Sequence, residues 1–417
     1  MMAPTRIWIL FSLGGLLAQA QQPIGSAYFG IHLSPAIYAG KQPWPSIPFG
    51  TVRLLGYGVS WADIEPAPGK FDFHILDMIL AKGRAENKTD FLNSLVKTPP
   101  WASSNTSDPR CAGFDREPGG CYPPKDLNDD GSGADQLWKD YVTAVVKHVC
   151  VPGPCKIQSW EVWNEPNAPN YWKGTIPQLI RLARDAYQIV KQIDPNAIVV
   201  SPPPAGAADP TSTAAAWLAS YLKAGGGQWA DVIGFHGYLK PRHVPSAEMI
   251  ADGVKALAAN AGGKPLWDTE GSWLKSYNLP EPDLQASYVA RYYLLQATEV
   301  QRFYWFSYEY GNGTLYDAAS NRLNSAGVAY GQVYEWMVGA TPDGPCTKSG
   351  SIYTCAYTRP GGYKAMAVWD ASGRTSSYPA PAGFTRYRDL TGKTNQIQGG
   401  VPIDIKPVWI ENRSGLN

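Results

Sequence analysis

Two carboxylates in this sequence stand at the ends of apolar segments, where an ordinary solvated surface charge is not expected. Glu165 follows the run 159–163, and Glu270 closes the run 264–269. A carboxylate at the tip of a buried strand is costly unless it has a partner or a task. Two such groups facing each other are what cleavage of a glycosidic bond requires, because one donates a proton while the other attacks or activates water.

The surroundings of the two glutamates predict different roles for them. Three apolar residues lie close to the first in the sequence: Trp160, Trp163 and Pro166. A carboxyl group that is desolvated has a raised pKa, which suits Glu165 to act as a general acid. Glu270 must stay ionised to attack, so it needs a cation or hydrogen-bond donors, and Arg53 and Tyr238 are the candidates.

The elements that position these residues alternate between strand-like and helix-like patterns. Eight short apolar runs predict strands at 27–33, 51–55, 89–96, 159–163, 197–201, 232–238, 264–270 and 302–307. Amphipathic patterns predict helices at 74–86, 134–149, 176–193, 214–223, 247–261, 283–298 and 326–338. Such alternation over about 310 residues predicts an α/β fold of the (β/α)8 TIM-barrel type rather than an open doubly wound sheet.

In a barrel of this kind, catalytic residues lie at the carboxyl ends of the strands. Besides the two glutamates, the polar and aromatic residues at those ends are Arg53, Trp101, Asn164, His236, Tyr238 and Trp305. Strands four and seven lie nearly opposite each other, so the carboxyl groups of Glu165 and Glu270 are expected about 5–5.5 Å apart, as in a retaining enzyme. Asp268 shares a strand face with Glu270, but Glu270 lies nearer the carboxyl end.

Several of these residues also have a purely structural interpretation. Arg53 interrupts an apolar strand, and a buried ion pair would explain it as well as a supporting role in catalysis. His236 could be a core histidine with its hydrogen bonds satisfied. Trp101 and Trp305 could belong to the core.

The pattern changes after about residue 339 to short alternating runs separated by Gly, Pro and Asn. The runs 351–358, 363–370, 384–389 and 403–410 predict antiparallel strands. We therefore expect a catalytic barrel over 21–339 and a small β-sandwich-like domain over 340–417, with a strand from about 21–27 as an optional addition. No Ser/Pro-rich linker separates the two, which favours a docked accessory domain.

The amino-terminal segment 1–20 predicts a secretory signal peptide. Arg6 precedes the apolar run 7–17, and Ala18 and Ala20 suit cleavage before Gln21. The apolar run is too short to cross a bilayer. Four glycosylation sequons, at Asn87, Asn105, Asn312 and Asn412, fit the same secreted, extracellular destination.

The cysteines point to an oxidising compartment as well. Six cysteines allow 15 connectivities. The simplest arrangement closes three small loops, through Cys111–Cys121, Cys150–Cys155 and Cys346–Cys355. Metal ligation is the alternative, but neither CxxC spacing nor clustered histidines accompany the cysteines, so we expect no metal site.

The composition favours a sugar as the partner. The chain has 36 Lys and Arg against 35 Asp and Glu, a net charge of +1, which gives no reason to expect nucleic acid or a membrane surface. It contains 16 Trp, 24 Tyr and 11 Phe, whose flat faces suit sugar rings as well as a core. We expect a monomer that needs no cofactor.

The motifs around both glutamates resemble clan A of the glycoside hydrolases. Residues 163–166, Trp-Asn-Glu-Pro, are similar to the acid/base motif that ends strand four, and residues 269–271, Thr-Glu-Gly, to the nucleophile motif of strand seven. The stretch 61–73, Trp-x-x-Ile-Glu-Pro-x-x-Gly-x-Phe-Asp-Phe, is most like glycoside hydrolase family 39.

That resemblance implies roles for the companion residues. Asn164 would bind the sugar 2-hydroxyl, Tyr238 would hydrogen-bond the nucleophile, and Arg53 would support it. His236 would line the site, and Trp305 would floor the sugar subsite. The sequence thus predicts a secreted retaining β-glycoside hydrolase, with a non-hydrolytic carbohydrate-binding or cell-wall protein, or a transglycosylase, as the alternatives.

Overall fold

The structure, a computed structural model, describes residues 22–108, 111, 118–240, 246–274 and 279–415. The expected signal peptide lies outside the described residues. Eight parallel strands form one sheet: β1 (Phe29–Ile31), β2 (Thr51–Leu54), β3 (Phe91–Leu95), β4 (Ser159–Val162), β5 (Ile198–Val200), β6 (Ile233–His236), β7 (Leu266–Gly271) and β8 (Val300–Trp305). Their order is β5-β4-β3-β2-β1-β8-β7-β6, and a parallel bridge between Val200 and Val232 joins the two edges into a barrel.

Helices connect the strands and cover the barrel. They are α1 (Pro35–Tyr38), α2 (Trp61–Ile64), α3 (His74–Ala85), α4 (Gln136–Cys150), α5 (Ile176–Ile193), α6 (Ala214–Lys223), α7 (Met249–Asn260), α8 (Pro282–Gln296) and α9 (Ser325–Met337). The clearest sequence signals surround α5. Thr175 and Gln178 form a reciprocal capping box at its start, and Pro195 follows its end. The short α1 and α2 lie in segments without a predicted helix.

The inside of the barrel has a separate apolar layer below the catalytic end. This layer consists of Leu92, Val200, Val232, Trp267 and Tyr304. Gly30 on β1 permits it, because a Cβ at that position would collide with the ring of Tyr304. The larger core lies between the strands and the surrounding helices, as the alternation of the sequence predicts.

The carboxyl-terminal part is antiparallel. After a two-stranded ribbon of β9 (Tyr316–Asp317) and β10 (Arg322–Leu323), the strands are β11 (Thr341–Pro342), β12 (Thr347–Ser349), β13 (Ile352–Arg359), β14 (Tyr363–Asp370), β15 (Ser376–Tyr378), β16 (Arg386–Arg388), β17 (Thr394–Gln396), β18 (Val401–Ile403) and β19 (Val408–Glu411). Seven of them form one sheet, and β15 pairs with β18 beside it. Val368 and Ile410 of the larger sheet pack on Val401 and Ile403, which gives the predicted sandwich-like layer.

Two details of the predicted accessory domain differ from the structure. The expected strand 403–410 is broken into β18 and β19, because Asp404 accepts the backbone N–H of Lys406 in a turn and Pro407 has no N–H to offer a sheet. Residues 22–25 form no strand. Ile24 instead exchanges two backbone hydrogen bonds with Gly339 and Ala340.

The two parts are packed together. The rings of Trp336 on α9 and Trp409 on β19 are stacked with centroids 5.6 Å apart. The Nη2 group of Arg359 lies 3.0 Å from each of three backbone carbonyls at the end of α9, those of Glu335, Trp336 and Val338. These contacts therefore connect the end of α9, the last helix of the barrel, directly to the β-domain.

The predicted cysteine pairs and the four sequon asparagines all lie within the described residues. All three predicted cysteine pairs, Cys111–Cys121, Cys150–Cys155 and Cys346–Cys355, are disulfide-bonded. Of the sequon asparagines, Asn87 is exposed, whereas Asn105, Asn312 and Asn412 are partly buried. Within the described ranges, no helix has both the length and the apolar character needed to cross a bilayer.

Candidate active site

The turn that follows β4 presents Glu165 at the mouth of the barrel. Trp163 and Glu165 have φ angles of 64° and 45°, in the left-handed region that residues with a Cβ avoid. Each such residue costs on the order of 1–3 kcal/mol and persists only where surrounding contacts impose it. Backbone hydrogen bonds to the carbonyls of Leu95, at the end of β3, and of Pro203, in the segment after β5, hold the turn. The sharp turn directs the Glu165 side chain toward the barrel axis.

The structure brings Glu165 and Glu270 together from opposite sides of the barrel. One carboxyl oxygen of each and a ring nitrogen of His236 all lie within 4.8 Å of one another. The two glutamates line a cleft of about 400 Å³, together with Tyr171, Tyr238, Lys240 and Phe306 among others. This volume suits one or two sugar units. Both carboxyl side chains are nearly buried, 13% exposed for Glu165 and 10% for Glu270.

The surroundings of Glu165 favour its protonated form. Burial raises its pKa to about 7, although the positive charge of Arg53 acts in the opposite direction. His236 Nδ1 lies 2.8 Å from Glu165 Oε1. Burial lowers the pKa of His236 to about 4, so near neutral pH this contact is a hydrogen bond to a neutral imidazole rather than an ion pair.

Glu270 has the opposite kind of environment, because donors surround it. Tyr238 donates its hydroxyl to Oε1 over 2.8 Å, and Arg53 Nη1 donates to Oε2 over 2.8 Å. Burial and the negative charge of Glu270 raise the pKa of Tyr238 well above its usual value, so the phenol stays protonated and donates. Both carboxyl oxygens of Glu270 therefore accept hydrogen bonds.

Arg53 makes more contacts than the sequence predicts. Its Nη2 group donates to Asn164 Oδ1 over 2.8 Å, and its Nε and Nη2 groups both donate to Glu161 Oε2, over 2.7 and 2.5 Å. Ser94 donates to the same oxygen. Glu161 was not predicted as a site residue. A carboxylate inside the apolar run of β4 is as unusual as an arginine inside β2, and this signal could have identified it. The structure explains both charges, because each is the partner of the other.

Asp268, the competitor of Glu270 in the sequence, lies away from the cleft. It has no exposed surface, and its Oδ1 accepts the backbone N–H of Gly237 over 2.9 Å. Burial raises the pKa of Asp268 well above its usual value. A Cβ at position 237 would collide with the Asp268 carboxyl group, which explains the glycine between His236 and Tyr238.

For Trp305, the structure selects the core interpretation that the sequence left open. Trp305 has no exposed surface and donates to the carbonyl of Gly313, so it is a core residue and the adjacent Phe306 lines the cleft. Trp101 is half-buried and donates to the carbonyl of Glu65. Trp163 packs against rings on the helix side, those of Trp138 and Trp172, and not around the Glu165 carboxyl. An alternation pattern cannot tell a core indole from one that contacts substrate.

The donor atoms of Glu165, His236 and Glu270 are of types that also bind metal ions. Both oxygens of Glu270 already accept hydrogen bonds, and the guanidinium of Arg53 would repel a cation placed beside it. Cys150 and Cys155, which lie near Asp194 in a second cluster of ligand types, are joined in a disulfide. The chemistry that fits the donor set is therefore acid/base and nucleophilic chemistry.

Comparisons with known proteins point to the same class. Residues 155–334 match the family model described as "Glycosyl hydrolase catalytic core". A β-xylosidase of Geobacillus stearothermophilus is 33% identical over 108 residues, which are 25% of this chain and 19% of that enzyme. The match thus spans about a fifth of the length of this curated relative.

Solved structures share the fold across almost the whole chain. A family 39 glycoside hydrolase from the gut symbiont Bacteroides cellulosilyticus WH2 has a TM-score of 0.65 at 17% identity, covering 93% of this chain and 81% of its own. A GH30 endoxylanase from Clostridium papyrosolvens C71 has a TM-score of 0.61 at 14% identity, covering 95% and 97%. A GH39 β-xylosidase from Caulobacter crescentus has a TM-score of 0.59 at 16% identity, covering 94% and 98%. The predicted barrel with its β-domain is confirmed, and the fold resembles those of glycoside hydrolases of families 39 and 30.

Proposed function

We propose that this protein is a secreted retaining β-glycoside hydrolase in which Glu270 is the nucleophile and Glu165 the acid/base. The observation that carries the proposal is the approach of the two carboxyl groups, oxygen to oxygen, within 4.8 Å at the carboxyl ends of two barrel strands. Retaining enzymes hold their carboxyl groups about 5–5.5 Å apart, whereas inverting enzymes leave about 6.5–9.5 Å for a water molecule.

The first step forms a glycosyl-enzyme ester. The Glu270 carboxylate attacks the anomeric carbon, the bond from that carbon to the leaving oxygen breaks, and Glu165 transfers its proton to that oxygen. A neutral His236 with its proton on Nδ1 donates to Glu165 Oε1, which leaves the acidic proton on the other oxygen. Asn164 accepts from Arg53 through Oδ1, and this bond orients the amide so that its nitrogen can donate to a sugar hydroxyl.

The second step hydrolyses the ester. Glu165, now ionised, takes a proton from a water molecule whose oxygen attacks the anomeric carbon from the other face. The bond to Glu270 breaks, and its carboxylate returns to the donors Tyr238 and Arg53. Two inversions at one carbon give a product with the starting configuration.

The relatives and the cleft support β-linked xylosides as the substrate class. Two of the similar proteins are named β-xylosidases and one is named an endoxylanase, so β-linked xylose is the first sugar to test. A cleft lined by Tyr171, Tyr238 and Phe306 offers aromatic surface to such a ring. Secretion is supported by the signal-like segment 1–20 and by three disulfides, which persist in oxidising compartments.

The test is a panel of nitrophenyl β-glycosides and β-linked polysaccharides, with the anomeric configuration of the first product read by NMR. We expect a β-configured product. Replacing Glu270 by Gly should abolish turnover, and added azide should restore it and release a glycosyl azide of inverted configuration. If the wild-type protein binds sugars in calorimetry but releases no reducing ends from any of them, the non-hydrolytic alternative is correct.

A further inference from the structure

The mechanism above leaves one charged residue of the site without a task. Glu161 has no exposed surface, and its Oε2 atom accepts three hydrogen bonds, two from Arg53 and one from Ser94. Among the described residues, no hydrogen-bond donor contacts its Oε1 atom. The side chain points into the barrel directly below the turn that carries Asn164 and Glu165.

The charges around Arg53 do not balance as a simple pair. Its guanidinium lies 2.5 Å from Glu161 and 2.8 Å from Glu270, with no exposed surface on the arginine side chain. The buried guanidinium of Arg53 therefore forms ion pairs with two carboxylates. Burial alone would lower the pKa of Arg53, but the negative charges of Glu161 and Glu270 outweigh this effect and raise it. Glu161 therefore keeps a carboxylate beside the cation when the charge of Glu270 changes.

We infer that Glu161 is a positioning residue: it fixes the guanidinium of Arg53 between Glu270 and Asn164 and moderates the attraction of that cation for Glu270. This inference rests on the proposed function. Glu161 binds Nε and Nη2 and leaves Nη1 directed at Glu270, so the rotation of the guanidinium is determined. Because Arg53 divides its charge between two carboxylates, Glu270 is held ionised but not so tightly that it loses its reactivity.

The reaction changes the charge of Glu270 and not that of Glu161. When the Glu270 carboxylate forms the ester, its negative charge disappears, and Arg53 would become an uncompensated buried cation without Glu161. With Glu161 present, a neutral ion pair remains through the lifetime of the intermediate. Glu161 therefore stabilises the first transition state and the glycosyl-enzyme relative to a site that contains Arg53 alone.

Removing the charge while keeping the shape separates this role from a purely structural one. In Glu161→Gln, Arg53 attracts Glu270 alone, which makes Glu270 a weaker nucleophile and a better leaving group. We expect the turnover of aryl glycosides with poor leaving groups, which is limited by attack of Glu270, to fall about tenfold or more. The turnover of dinitrophenyl glycosides, which is limited by hydrolysis of the ester, should change less than about threefold.

Two matched variants serve as controls. Glu161→Asp retains the negative charge and should recover most of the lost rate on the poor leaving group. Glu411→Gln removes an equally buried, arginine-paired carboxylate of the β-domain and should lower the melting temperature without changing either rate. An equal loss on both kinds of substrate, or no loss on either, would overturn the inference.

The positional part of the inference can be measured without turnover. A double-mutant cycle on thermal stability with Glu161→Gln, Arg53→Gln and the double variant should show strong coupling, because Arg53→Gln leaves Glu161 as a buried charge without a cation and Glu161→Gln removes that charge. Additive effects would show that Glu161 does not hold Arg53. If wild-type protein cleaves no glycoside while the cycle shows coupling, the proposed function fails and the positioning of Arg53 stands.

Discussion

Two buried clusters in this molecule are made of the same chemical parts. In the β-domain, Glu411 has no exposed surface, lies 2.9 Å from both Arg386 and Arg388, and accepts the hydroxyl of Tyr363 over 2.7 Å. In the barrel, Glu270 accepts the hydroxyl of Tyr238 over 2.8 Å and shares a single arginine with a second carboxylate. The parts are alike, but the ratio of cations to anions is reversed.

The difference separates a site that stabilises the fold from one that performs chemistry. Two arginines around Glu411 compensate its charge fully. In the barrel, Arg53 pairs with Glu161 and Glu270, and Glu165 contacts a neutral histidine instead. With a neutral histidine as its partner, Glu165 has its pKa raised by burial to about 7, a property that a structural cluster has no reason to have.

The largest expected contrast is in turnover. Replacing Glu270 by Gln should reduce kcat by about 10⁴-fold or more, because the proposed nucleophile is lost while the shape is retained. Replacing Glu411 by Gln should leave kcat within about twofold, since that residue is remote from the cleft. Both are measured on the best substrate of the panel. A similar loss in the two variants would mean that the β-domain takes part in catalysis.

Next in size is a contrast in stability. Glu411→Gln should lower the free energy of unfolding by about 3 kcal/mol, because two arginines lose the carboxylate between them. Urea denaturation measures the change. Lys82→Gln, which breaks a partly exposed ion pair with Glu86 on α3, is the control and should cost less than about 1 kcal/mol. Equal effects would show that the Glu411 cluster is not a source of stability.

The two tyrosines give a closely matched pair of variants. Tyr238→Phe should lower kcat/KM by about 10²-fold, since Glu270 loses a donor that orients it in the transition state. Tyr363→Phe should lower only the melting temperature, because its hydroxyl serves Glu411 and accepts from Trp409. An unchanged kcat/KM in Tyr238→Phe would remove this residue from the mechanism.

The smallest expected effect depends on pH. The pKa of Glu165 is about 7 in the folded protein against an ordinary value of 4.5, so the folded state binds the extra proton, and this contribution to stability is lost as pH rises through 7. Glu165→Gln should therefore be more stable than wild type by about 1–2 kcal/mol at pH 8, and the gain should vanish below pH about 4.5. For the same reason, wild-type kcat/KM should fall as pH rises above about 7. A gain that is independent of pH would contradict the assignment.

Much of the candidate site can be predicted from the sequence, because its residues lie at or just after the carboxyl ends of strands. The carboxyl end of a parallel strand in a barrel is a position that pattern alone locates, so Glu165, Glu270, His236 and Tyr238 were found without coordinates. The alternation of apolar runs with amphipathic helices was equally sufficient for the barrel. Both signals are local, and neither depends on which distant side chains meet.

What pattern could not show were contacts across the barrel and the direction of individual rings. The partnership of Arg53 with Glu161 joins residues 108 positions apart, and no spacing rule links β2 to β4. Trp305 at the end of β8 was indistinguishable from a sugar-binding platform until its burial was known. The strand predicted at 403–410 failed because a turn at Asp404 outweighs the β-propensity of its neighbours.

The hydrogen bonds of Arg359 to the end of α9 have a consequence for how the protein unfolds. Its guanidinium supplies donors to three carbonyls that a helix terminus would otherwise leave to water, and the Trp336–Trp409 stack closes over the same junction. A barrel severed after Gly339 would expose those carbonyls and one face of an indole together. The β-domain thus covers the end of α9 and satisfies its terminal carbonyls. We therefore expect the barrel and the β-domain to unfold in a single thermal transition.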